Sequence, residues 1–149
     1  MRISESAIET IRHHSKATYP EECCGVLVGE YDDVTFALEA VPVENTSEEH
    51  RERRYTIDAA ELFRVTRDAG KRGLDVVGFY HSHPDHPAEP SSTDLEEATF
   101  PSYVYLIQSV IDGKPDELTA WTLADDRSRF LREAIDELRN EPSSTTEHP

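Results

Sequence analysis

The chain has 149 residues, 31 acidic against 15 basic for a formal net charge of −16, and 36% hydrophobic residues. That length suits one domain around one core, and charge of that sign repels nucleic acid and anionic lipid, both of which are bound through Lys and Arg. No apolar run nears the ~20 residues that span a bilayer, and Met1-Arg2-Ile3-Ser4 does not lead into a signal-peptide core, so a cytoplasmic protein without a membrane or nucleic-acid partner is expected.

Ser4 or Ser6 can cap a first helix, Ser6 with Glu9 as a capping box, and Ala7, Ile8 and Ile11 give it an apolar stripe that ends before Pro20. A strand follows at Cys23 to Gly29. Tyr31-Asp32-Asp33 turns the chain into a second strand, Val34 to Val43, where Val34, Phe36 and Leu38 alternate, so the two strands form a hairpin. Glu44 to Arg54 (ENTSEEHRERR) is an exposed, charged loop. Asp58, with Glu61 three residues on, caps a second helix whose Leu62, Val65 and Ala69 face inward until Gly70 and Gly73 end it.

Leu74 to Tyr80 is an apolar strand that delivers His81, and Pro84 stops it. Asp85 to Pro90 is too rich in Pro and charge for a regular element, and Ser91-Ser92-Thr93-Asp94 opens a short helix through Glu97. Pro101 resets the chain for a strand from Tyr103 to Val110, Asp112-Gly113 turns it, and Leu118 to Leu123 returns as the partner. Ser128 begins a final helix with Leu131, Ile135 and Leu138 at helical spacing, and Glu141 to Pro149 holds no aliphatic residue. The expected division is a domain over residues 1–139 and a disordered tail over 140–149. The element order αββαβ(loop)αββα predicts an α/β protein, a mixed sheet with helices packed around it.

Within this order Gly78 to Asp94 (GFYHSHPDHPAEPSSTD) carries the chemistry. His81 and His83 alternate with Ser82, so on a strand both imidazoles leave one face and can reach one metal ion. Asp94 sits on a turn able to fold back over them. Two His and one carboxylate leave the fourth tetrahedral position of a zinc ion open to water, the arrangement of a catalytic rather than a structural site.

His81, Ser82, His83, Pro84, then six residues to Ser91 and Asp94, is a pattern that resembles the JAMM (MPN+) metalloproteases. The family also has a glutamate three residues before a glycine that opens a hydrophobic strand, and Glu22 in Glu21-Glu22-Cys23-Cys24-Gly25 fits that place. The likeness runs from about Ile3 to about Leu138, and is strongest to short prokaryotic members that trim small ubiquitin-like or sulfur-carrier proteins to a free Gly-Gly end. It implies the MPN (JAMM, cytidine-deaminase-like) fold and one zinc (Zn2+) per chain on His81, His83 and Asp94. It also implies Glu22 as general acid and base, Ser91 as a donor to the oxyanion, and a β-grasp partner with a C-terminal Gly-Gly.

Competing readings follow from the same residues. A metal-free MPN interaction module would have lost ligands, and a RadC-like protein would carry basic surface or a DNA-binding extension. Lys16, Lys71 and Lys114 are the only lysines, and so acidic a surface suits a high-salt, halophilic cytoplasm, where self-repulsion is screened. Cys23 and Cys24 are adjacent, which disfavours a mutual disulfide, and read as small buried apolar residues on opposite strand faces. His13, His14, His50, His86 and His148 read as surface residues. The oligomeric state is not written in the chain.

Overall fold

The computed structural model describes residues 1–138; the expected tail lies outside the described residues. Among the described residues eight strands form one sheet: β1 Arg2–Ser4, β2 Cys24–Tyr31, β3 Thr35–Val43, β4 Asp75–Pro84, β5 Val104–Ile111, β6 Lys114–Leu123, β7 Phe130–Glu133 and β8 Asp136–Leu138. Their order is β7-β6-β5-β4-β2-β3-β1-β8. The pairs β4–β5, β1–β3 and β1–β8 are parallel and the others antiparallel. The helices are α1 Glu5–Thr18, α2 Ala59–Lys71 and α3 Ser92–Glu97.

This topology forces curvature. Strands β7 and β8 lie on opposite edges, yet only Ala134 and Ile135 separate them. Seven interstrand spacings would put the edges of a flat sheet ~34 Å apart, and so short a link spans ~11 Å at most. The sheet therefore curls until its edges approach, where the Met1 amino group donates to the Ala134 carbonyl at 2.9 Å.

Each face of the curl holds a core. Ile3, Ala7, Ile11, Leu27, Tyr80 and Leu106 pack together on the α1 side, while Cys24, Val26, Val65, Ala69, Phe79 and Tyr105 pack on the α2 side. Central β4 is buried from Val76 to Pro84, which is why its sequence is nearly continuous in apolar residues before the histidines. Gly78 faces the carbonyl of Val104 on β5 so closely that a Cβ would collide with it. Gly78→Ala is expected to lower stability by ~1–3 kcal/mol, read as a lower denaturation midpoint at unchanged slope. An unchanged midpoint would contradict this β4–β5 approach.

The region after Ser128 departs from the sequence reading. It is strand, not helix: β7 pairs with β6 through Leu123↔Phe130 to Ala120↔Glu133, and β8 pairs with β1. Leu131, Ile135 and Leu138 do recur at helical spacing, but the turn from Ala124 to Arg129, closed by Ala124 N–H to Arg129 C=O at 2.9 Å, commits the chain to a hairpin. Phe130 then packs on Tyr105, and the Arg132 guanidinium lies over Trp121. Tertiary pairing overrides local periodicity here.

Smaller differences have local causes. Ser4 rather than Ser6 caps α1, because Ser4 ends β1, where its Oγ accepts from Ala7 N–H at 3.0 Å and donates to Leu38 C=O at 2.7 Å. Asp58 is the N-cap of α2 without a side-chain cap bond among the described residues, and the Glu61 carboxylate, which would complete a capping box, pairs with Arg64 at 2.7 Å. Gly70 lies inside α2, and Gly73, at φ +77°, follows its end.

Candidate active site

His81 and His83 are the last inward residues of β4, on the face that also carries Phe79, and both are buried. Ser82 points the other way and fastens the neighbouring strand: Cys23 N–H donates to its Oγ at 2.8 Å, and Ser82 N–H donates to Cys23 C=O at 3.1 Å. That pairing sets Cys24 opposite His81 and brings Glu22, one alternation earlier, to the same face as the histidines.

The Ser-x-x-Asp spacing is a helix-capping geometry. Ser91 is the N-cap of α3, its Oγ accepting from Asp94 N–H at 3.0 Å while Asp94 Oδ2 accepts from Ser91 N–H at 2.9 Å. This reciprocal pair holds Asp94 Oδ2 toward β4, 3.1 Å from His83 Nε2 and 3.3 Å from His81 Nε2, and the two Nε2 atoms are 3.2 Å apart. Ligand atoms ~2.0–2.1 Å from a tetrahedral zinc lie ~3.3 Å from one another, so the triangle matches one face of such a site. The chemistry also fits. His83 Nδ1–H donates to Pro87 C=O at 2.8 Å, which leaves the Nε2 lone pair of the neutral ring facing the centre.

The loop before α3 is held by groups that the sequence pattern did not announce. Asp85, at φ +60°, accepts from Tyr19 OH at 2.6 Å and from Asp112 N–H at 2.8 Å. Ser109 donates to His86 C=O and Thr119 to Ala88 C=O, both at 2.6 Å. Tyr55 stacks on the His81 ring at 4.5 Å between centroids. Only the packed fold reveals these partners, because each lies far in sequence from the residue it steadies.

Glu22 is 4% exposed and its Oε1 has no hydrogen-bond partner among the described residues, whereas Glu21 is exposed. Burial, followed by the negative charges of Asp94, Glu52 and Glu97, pushes the Glu22 carboxyl up to about 9. Burial acts on Asp94 in the same direction, but there the His81 and His83 rings and the Ser91 N–H outweigh it and hold the carboxyl well below its ordinary value. A buried carboxyl with an orphaned oxygen beside three convergent donors is what a cation and its water would complete.

Ser91 is exposed, and its Oγ, already accepting from Asp94 N–H, has an O–H with no acceptor among the described residues. Cys23 and Cys24 are buried on opposite faces as the alternation implies, and burial raises their thiols to about 11 and about 12. Cys23→Ser and Cys24→Ser are therefore expected to keep turnover within ~3-fold, with some loss of stability from the buried hydroxyl. If either substitution removed activity with the fold intact, a thiol nucleophile would be indicated. His13, His50 and His86 are exposed, but His14 is not the surface residue its sequence suggested: its Nδ1 bonds the Tyr80 hydroxyl at 2.7 Å. His148 lies outside the described residues.

Comparison with known proteins adds to this geometry. The family model described as prokaryotic homologs of the JAB domain matches residues 4–124. A desampylase from Haloferax volcanii is 39% identical over 132 residues, covering 89% of this chain and 91% of the relative. A CysO-cysteine peptidase from Mycobacterium tuberculosis is 31% identical over 112 residues, 75% of each chain. A solved structure from Salinibacter ruber has 46% identity and a TM-score of 0.73, covering 100% of this chain and 95% of that one.

Proposed function

The chain belongs to the prokaryotic homologues of the JAB domain, and on that premise we propose that it is a zinc-dependent peptidase or isopeptidase of the JAMM type. Its substrate in this reading is a small ubiquitin-like or sulfur-carrier protein, cut after a C-terminal Gly-Gly to release a conjugate or a precursor extension. The observation that carries the reading is the convergence of His81, His83 and Asp94, with the buried Glu22 carboxyl on the same face, its Oε1 without a hydrogen-bond partner among the described residues. The desampylase and CysO-cysteine peptidase among its relatives support the substrate class.

Zinc, when bound by His81, His83 and Asp94, supplies Lewis acidity toward water and toward the scissile carbonyl. Glu22, in its ionised form, accepts the proton of the water that attacks the carbonyl carbon and returns it to the amine nitrogen as the C–N bond breaks, so the carboxylate is regenerated. The Ser91 O–H donates to the carbonyl oxygen as it gains charge. The His and Asp beside Ser91 are the metal ligands themselves in this reading, so no separate pair is set aside to activate it as a nucleophile. Gly-Gly lacks side chains, so a narrow approach to the site would select it by excluding bulk.

The test is to incubate the zinc-loaded protein with the small β-grasp proteins of the same cell carrying C-terminal extensions, and to weigh the products. Cleavage after Gly-Gly, abolished by chelation and restored by zinc, is the expected result. A purified, unchelated protein that holds no transition metal and does not respond to zinc would support a non-catalytic module instead.

A further inference from the structure

Glu22 precedes β2, and its backbone is fixed by the segment that joins β3 to α2. Its N–H donates to Arg51 C=O at 2.7 Å, and its C=O accepts from Asn45 Nδ2 at 3.1 Å. Asn45 spends its whole amide on this junction. Nδ2 also donates to Arg54 C=O at 2.9 Å, and Oδ1 accepts from Ser47 N–H and Thr56 N–H, both at 3.1 Å. One side chain thus ties the start of the segment to its end, and ties both to Glu22. Composition gave this stretch as an exposed charged loop; the hydrogen bonds make it a clamp.

We propose that Asn45 is a positioning residue for proton transfer: its amide clamps the segment from residue 45 to residue 56 onto the Glu22 backbone and so aims the Glu22 carboxyl at the point enclosed by His81, His83 and Asp94. The inference rests on the reading of Glu22 as the base. Only a planar amide of this reach offers two donors and one twice-used acceptor in the required directions; Asp lacks the donors, and Ala lacks everything. A base displaced by ~1 Å can lose up to ~10²-fold in rate without any change in what it is.

The experiment is a double-mutant cycle in the full, zinc-loaded chain, with kcat and KM measured separately for the parent, Asn45→Ala, Glu22→Gln and the double variant. If Asn45 acts through Glu22, Asn45→Ala lowers kcat by ~10-fold or more in the parent, leaves KM and zinc content within ~3-fold, and costs little further in the Glu22→Gln background. Equal losses in both backgrounds would place its effect in the fold or in substrate binding and overturn the inference. So would undiminished kcat in Asn45→Ala while Glu22→Gln is impaired. A fully active Glu22→Gln would instead remove the base reading itself. Should Asn45→Ala fail to fold, Asn45→Asp keeps the acceptor for Ser47 and Thr56 but sets a charged oxygen, in place of the donors, against the Glu22 and Arg54 carbonyls, and the same double-mutant outcomes are read from it.

Discussion

Asp94→Ala is expected to lose the metal and at least ~10³-fold of peptidase activity, because the several kcal/mol of transition-state stabilisation that a Lewis acid contributes leave with it. The substitution removes two things, since Asp94 Oδ2 both faces the histidines and accepts from Ser91 N–H. Asp94→Asn separates them. Its amide oxygen can still accept from Ser91 N–H and cap α3, but it brings no negative charge to the His81 and His83 nitrogens. Both variants should therefore lose zinc by elemental analysis, with Asp94→Asn the less destabilised of the two. His83→Ala should lose zinc as well, leaving Pro87 C=O without its donor at the same time. A variant that retained one zinc per chain at the parent's affinity would place the metal elsewhere.

How legible was the fold? The hairpin of β2 and β3, both longer helices and the strand leading to His81 follow from local signals: alternation, a turn at residues 31–33, apolar stripes at helical spacing and a positive-φ glycine at position 73. The strands β7 and β8 do not. β8 pairs with β1 at the far end of the chain, so no window around it contains its partner, whereas β7 is the second arm of a local hairpin with β6 that the helical spacing of Leu131, Ile135 and Leu138 concealed. β1 itself has three residues, too few to show a period.

The site divides in the same way. His81, His83 and Asp94 are readable as ligands from alternation on a strand and the turn that opens a short helix, whereas Glu22 and Ser91 follow from the resemblance of the pattern to the family. The residues that steady them follow from neither. Tyr19, Asn45, Tyr55, Ser109 and Thr119 reach Asp85, Glu22, His81, His86 and Ala88 across long separations, and each is an ordinary polar or aromatic residue in its own neighbourhood. A hydrogen-bond donor inside a strand gives no sign in sequence of which loop it will hold.

Glu22→Gln separates chemistry from metal binding in one residue. It keeps the size and most of the packing of a side chain that is 4% exposed, but cannot take the proton of water, so turnover should fall by at least ~10²-fold while zinc stays bound and KM changes little. Glu21→Gln, on an exposed neighbour, should do almost nothing; an essential Glu21 beside a dispensable Glu22 would mean that the strand entering β2 is shifted by one residue. A second readout needs no substrate. In the metal-free chain burial raises the Glu22 carboxyl from 4.5 to about 9, so the folded state holds a proton that the unfolded state releases. The stability tied to that proton is full below about 4.5 and is lost progressively as pH climbs toward about 9. Glu22→Gln has no proton to lose there. With metal removed from both proteins, its melting temperature should gain on the parent's as pH rises from about 5 to about 8, and a gap that stayed constant across that range would mean that Glu22 is not the buried, unpaired carboxyl on which the mechanism depends.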